Sequence, residues 1–101
     1  LNVSFDNLTL DKTVIEEGTT TASVDVVTNA QFENYTSGAV DWLIAASYKD
    51  NRISDITLAP INPSNGTCKA AVDVSADDTR VAAFVWGKTA LNPIDMVEIT
   101  K

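Results

Sequence analysis

Val40-Asp41-Trp42-Leu43-Ile44-Ala45-Ala46-Ser47-Tyr48 and Val81-Ala82-Ala83-Phe84-Val85-Trp86 decide the fold. Each is short, apolar on both alternating sets of positions, and rich in aromatic and β-branched residues. That pattern belongs to a strand with little water on either side. Placed antiparallel, the two strands bring Trp42 beside Trp86, Ile44 beside Phe84, Ala46 beside Ala82 and Tyr48 beside Arg80. Strand side chains alternate, so these residues share one sheet face. The other face carries Leu43, Ala45 and Ser47 against Val81, Ala83 and Val85.

The rest of the chain has the same rhythm. Strands are expected over Val3 to Leu10, Lys12 to Glu16, Thr20 to Thr28, Val40 to Tyr48, Ile53 to Ile61, Thr67 to Val74, Arg80 to Trp86 and Met96 to Thr100. Ala22, Val24 and Val26 alternate with Thr21, Ser23 and Asp25, and Cys68 to Val74 alternates similarly, as in strands with one dry and one wet face. Reversals are expected at Glu17-Gly18, Lys49-Asp50-Asn51, Asn62 to Gly66 and Ala76-Asp77-Asp78, with Asn65-Gly66 as a tight hairpin turn. Asn29 to Gly38 is polar and reads as a loop or short helical turn. No segment has a helical period. About seven or eight short strands at this spacing predict one antiparallel β-sandwich spanning residues 1–101.

Composition narrows the setting. With 45 % hydrophobic residues in 101, the chain has enough apolar surface for a core without staples. A net charge of −7 argues against nucleic acid and against an anionic membrane surface, both of which need clustered Lys and Arg. Cys68 is the lone cysteine, so no internal disulfide forms, and a strand-borne thiol reads as a small buried hydrophobe. Without histidine, a cysteine nucleophile lacks its usual base and zinc its usual ligands. The carboxylates show no spacing that selects a catalytic pair, so no enzyme activity and no cofactor are expected. Asp77-Asp78-Thr79 offers oxygens for calcium but reads as a solvated turn. Sequons begin at Asn2, Asn7, Asn34 and Asn65. The start Leu1-Asn2-Val3-Ser4 has neither Met nor an apolar leader, which suggests a module excised from a larger protein or a processed chain.

Ala46-Ser47-Tyr48, then Asn51-Arg52-Ile53, then Ala82-Ala83-Phe84-Val85-Trp86-Gly87 form a recognisable series. Over roughly residues 40 to 100 the chain resembles an immunoglobulin-like or fibronectin-III-like accessory module. Such modules occur in secreted and cell-surface proteins of Gram-positive bacteria, often beside polysaccharide-degrading enzymes. Their pattern is a strand ending Ala-x-Tyr-Asp, a turn, Gly-Arg-Leu, and later a strand ending Lys-x-Phe-x-Trp-Asp. Here Asn51 replaces the Gly, Ala82 the Lys and Gly87 the Asp, and Trp42 stands where an aliphatic residue is usual. The resemblance implies an extracellular, non-catalytic module but no particular ligand.

Two placements of the Trp42/Phe84/Trp86 face are open. Burial of large rings, and the familiar core Trp of immunoglobulin-like domains, weigh towards the core for Phe84 and Trp86 and leave Trp42 balanced. Alternatively the small Leu43/Val85 face turns inward and the aromatic face outward, where rings stack on sugars. The leading expectation is a carbohydrate-binding module that holds plant or microbial cell-wall polysaccharide near a linked enzyme. Trp42 and Trp86 would stack on the sugar, Tyr48 would flank them, and Asp41, Arg80 and Lys88 would supply polar contacts. The alternative is a structural spacer or packing module against neighbouring domains, without a ligand. A peptide-binding sheet edge is a third possibility.

Overall fold

The computed structural model describes residues 3–28, 41–61, 66–87 and 93–101. Val40, Lys88 and the sequons at Asn2, Asn34 and Asn65 lie, wholly or in part, outside them, as does the polar stretch from Asn29. The described residues form seven strands: β1 (Val3–Leu10), β2 (Gly18–Thr28), β3 (Asp41–Lys49), β4 (Arg52–Ile61), β5 (Thr67–Val74), β6 (Arg80–Trp86) and β7 (Pro93–Thr100). They make two antiparallel sheets, ordered β1-β2-β5 and β4-β3-β6-β7. The protein is an all-β sandwich.

The core between the sheets is built from small side chains. Val24, Ala22, Leu43, Ala45, Val81, Ala83 and Val85 are all 0 % exposed, and Leu43 is the largest fully buried side chain. Valine and alanine suit sheets packed about 10 Å apart. An inward Trp-bearing face would wedge them open. The inner row of β7 agrees, because Val97 lies opposite Ala83 and Ile99 opposite Val81, and both pack on the core.

β1 carries a bulge between Asp6 and Thr9, where Asn7 adopts φ 55° and its amide donates to Asp25 Oδ2 at 3.0 Å. The extra residue shifts the side-chain alternation, so Phe5, Leu8 and Leu10 all reach the core despite their uneven spacing. Asn7, the asparagine of a sequon, therefore stands on a strand with its amide engaged.

Two expectations fail locally. Lys12 to Glu16 is not a strand. The Thr21 N–H donates to Asp11 Oδ1 at 2.7 Å and the Asp11 N–H to the Thr21 carbonyl at 3.0 Å, after which the chain turns off the sheet. A 3.1 Å Lys12–Glu16 ion pair spans the loop and Ile15 packs on the core. Nor do β4 and β5 pair as a hairpin, because they belong to different sheets; Asn65, of the turn expected between them, lies outside the described residues. The hairpin at Lys49–Arg52 does form, with Asp50 at φ 56°, a left-handed conformation that Asp tolerates better than most residues.

β5 is an edge strand of its sheet, and the facing sheet closes that edge with side chains. Thr57 Oγ1 donates to the Ala71 carbonyl at 2.6 Å, Ser47 Oγ to the Asp73 carbonyl at 2.8 Å, and the Asp73 N–H to Asp55 Oδ2 at 2.9 Å.

Candidate functional site

The register of β3 and β6 places Trp42 opposite Trp86, Ile44 opposite Phe84, Ala46 opposite Ala82 and Tyr48 opposite Arg80. This is the pairing expected from the sequence. The face is the outer one, which corrects the core reading of Phe84 and Trp86. Both rings are half-buried on the outside of the sheet, and Trp42 is 36 % exposed. None of the described aromatic side chains is fully buried.

The two flanking strands widen the face in a way that the central pair alone did not disclose. On β4, Pro60, Leu58, Ile56 and Ile53 lie beside Trp42, Ile44, Ala46 and Tyr48. On β7, Met96, Glu98 and Thr100 lie beside Phe84, Ala82 and Arg80. Ile53 is 55 % exposed, Leu58 52 %, Met96 49 % and Ile56 45 %. The most open apolar side chains of the face are thus aliphatic, and they ring the half-buried aromatic centre. Ala46 and Ala82, opposite each other, are small and closed to solvent.

The face carries little charge. Among the described residues its one cation is Arg80 and its one carboxylate Glu98, with Nη1 and Oε2 3.3 Å apart. Arg80 also lies over Tyr48, its guanidinium carbon 4.0 Å from the ring centroid. That cation–π contact already occupies one side of the tyrosine ring. The outer face of β1-β2-β5 is the opposite in character, with exposed or half-exposed Asp6, Thr21, Ser23, Asp25, Lys69 and Asp73.

The expected ligand residues therefore separate. Trp42 and Trp86 are brought together and face outward. Tyr48 and Arg80 share that face but engage each other. Asp41 sits half-buried at the start of β3, on the alternate set of positions from Trp42. Lys88 lies outside the described residues. The residues missed were Ile53, Ile56, Leu58 and Met96. Their signal was present in β7, where apolar Val97 and Ile99 alternate with Glu98 and Thr100. That alternation fixes which side of the sheet is dry.

The turns at the Tyr48 end of this sheet hold most of the remaining polar structure. Asp78 is fully buried, contrary to the solvated turn expected there. Its carboxyl accepts from Ser54 Oγ at 2.5 Å and from the Ser75 N–H at 2.8 Å. Asp77 is exposed, with Oδ2 2.9 Å from Lys49 Nζ. The hydrogen bond and positive charge of Lys49 hold the Asp77 carboxyl below the usual carboxylate range, and Asp77 raises Lys49 in return. A depressed carboxylate contributes stability above its unfolded-state pKa and loses it as pH falls through the folded value. Lys49→Met is expected to raise the Asp77 titration towards the ordinary range in an NMR carboxyl experiment, a backbone hydrogen bond and Lys101 keeping part of the depression. The unfolding midpoint should barely move, because the pair is solvent-exposed. An unchanged Asp77 titration would show that no such pair forms in solution.

Among the described residues no group of three or more His, Cys, Asp or Glu converges to hold a metal ion. Cys68 is half-buried, burial pushes its thiol up, and its Sγ lies 3.8 Å from the Pro60 carbonyl. Neither a protein-family model, nor a curated protein, nor a solved structure matches the chain.

Proposed function

We propose that this chain is a non-catalytic accessory module that works by docking, with the outer face of β4-β3-β6-β7 as its contact surface and protein as the material it contacts. The observation that carries this reading is the continuous apolar face itself, widest in exposed Ile53, Ile56, Leu58 and Met96. Soluble domains rarely leave such a face open unless something covers it. Its residues, Trp, Tyr, Phe, Met and an Arg with almost no Lys or Asp, are those that protein interfaces favour at their centres. The strand order supports the resemblance to immunoglobulin-like and fibronectin-III-like modules. It is the constant-type immunoglobulin arrangement with the fourth strand moved onto the third. The extracellular setting of those modules and packing against neighbouring domains of a parent chain are part of the proposal.

The second reading is the polysaccharide platform, favoured by one observation: Trp42 is partly open beside Trp86. Against it, Tyr48 is stacked and Arg80 is paired, so few groups remain for sugar hydroxyls. Affinity electrophoresis through a panel of soluble polysaccharides separates the two. The docking reading expects no retardation, together with retention on a phenyl matrix that falls when Leu58 becomes Lys. Retardation by one polysaccharide class, abolished by Trp42→Ala but not by Leu58→Lys, would replace docking with sugar binding.

A further inference from the structure

From the charge and extent of the outer sheet face, we infer that its occupant is a second copy of this chain, packed sheet on sheet about a two-fold axis. This rests on the docking reading above and names the partner. Charge is the first argument. The chain carries a net −7, so two copies repel through most of their surfaces. The outer face of β4-β3-β6-β7 is an exception. Its Arg80 and Glu98 balance, and the acidic outer face of β1-β2-β5 lies on the far side of the sandwich. Bringing these faces together keeps the negative surfaces apart. With Arg80 and Glu98 already paired within each copy, the described residues of the face bring no unbalanced charge to a second one.

Extent is the second argument. Four strands about 4.8 Å apart, each contributing about four outward positions some 6.8 Å apart, give a footprint of roughly 20 by 25 Å. With the relief of the side chains this approaches the ~800 Å² of accessible surface that each partner gives to a standard interface. Shape agrees with it. Ala46 and Ala82 at the middle of the face are already covered, so the contact falls on the open side chains around them, with Leu58 and Met96 on the flanking strands projecting into whatever lies opposite. A two-fold contact uses the same patch from both copies, so each favourable side chain counts twice.

Sedimentation equilibrium of the chain over a concentration series is the test, with Leu58→Lys and Met96→Lys as variants whose folding is checked by circular dichroism. The expected result is a reversible dimer that tightens as ionic strength rises, because screening weakens the residual repulsion. Each variant should weaken it at least about 100-fold, since two apolar side chains per dimer are lost from the contact. A monomer at every concentration overturns the proposal. In that case, phenyl-matrix retention that still falls in Leu58→Lys leaves the docking reading standing with a different protein as occupant, whereas retention indifferent to the variant removes both. A dimer unaffected by either variant also overturns the proposal, because it uses another surface.

Discussion

Leu43→Ala is expected to lower the unfolding free energy by about 2–5 kcal/mol, the range for removing a buried leucine and leaving a cavity. Leu43 is fully enclosed, with Val85 opposite it on β6 and Ala59 on β4. The informative control is the same substitution on the other side of the same sheet. Leu58 lies opposite Ile44 on the outer face and is half open to solvent. Leu58→Ala should therefore cost about 1 kcal/mol or less, as surface substitutions generally do. Urea denaturation of the two variants at one temperature measures the difference directly. Equal losses, or a larger loss at Leu58, would mean that the sheet is turned the other way and that the aromatic side is its core.

Asp78→Ala should be nearly as damaging, at about 2–4 kcal/mol, for a different reason: it removes two hydrogen bonds to a carboxylate as well as leaving space. The Ser75 N–H and the Ser54 hydroxyl both lose their acceptor, and the turn that carries the chain from β5 to β6 loses its tie to β4. Asp78→Asn separates the two contributions. The amide oxygen can still accept from Ser75, and the amide N–H₂ can donate to Ser54 Oγ once the hydroxyl rotates. The expected loss is about 1 kcal/mol, close to that of one ordinary hydrogen bond. If Asn were as destabilising as Ala, the requirement would be for the carboxylate charge rather than for a hydrogen-bonding shape.

Much of this structure was legible in the residues. The β3–β6 register follows from two apolar strands of similar length whose aromatic residues align in only one convincing way, and the hairpin at Lys49–Arg52 follows from its turn residues. The orientation of the sheet was not legible in that pair. Both strands are apolar at successive positions, so a period of two locates the faces without saying which is dry. The deciding contrast lies on the neighbouring strand, in Val97 and Ile99 against Glu98 and Thr100, and acts only once β7 is known to pair with β6. The mistaken strand at Lys12 to Glu16 has a similar cause. Its residues suit a strand, but the β1–β2 ladder runs out and the chain leaves the sheet. The burial of Asp78 was hidden because Asp77 beside it is exposed, and its partner Ser54 comes from a distant strand. The candidate surface was legible at its aromatic centre, through Trp42 and Trp86. Its aliphatic margin was not, because Ile53, Ile56 and Leu58 read equally well as core.

The hydrogen bonds from Thr57, Asp55 and Ser47 to the backbone of β5 also bear on how the protein survives crowding. An open strand border is a template on which another chain can add a strand, and repeated addition leads to fibrils. Here the Ala71 and Asp73 backbone groups that would start such growth are already taken by side chains of the facing sheet. At the β5 border, at least, a stranger finds no free ladder at these positions, while the proposed docking plane on the other sheet stays open. The proposed recognition through side chains and the capping of the β5 backbone thus fall on different sheets.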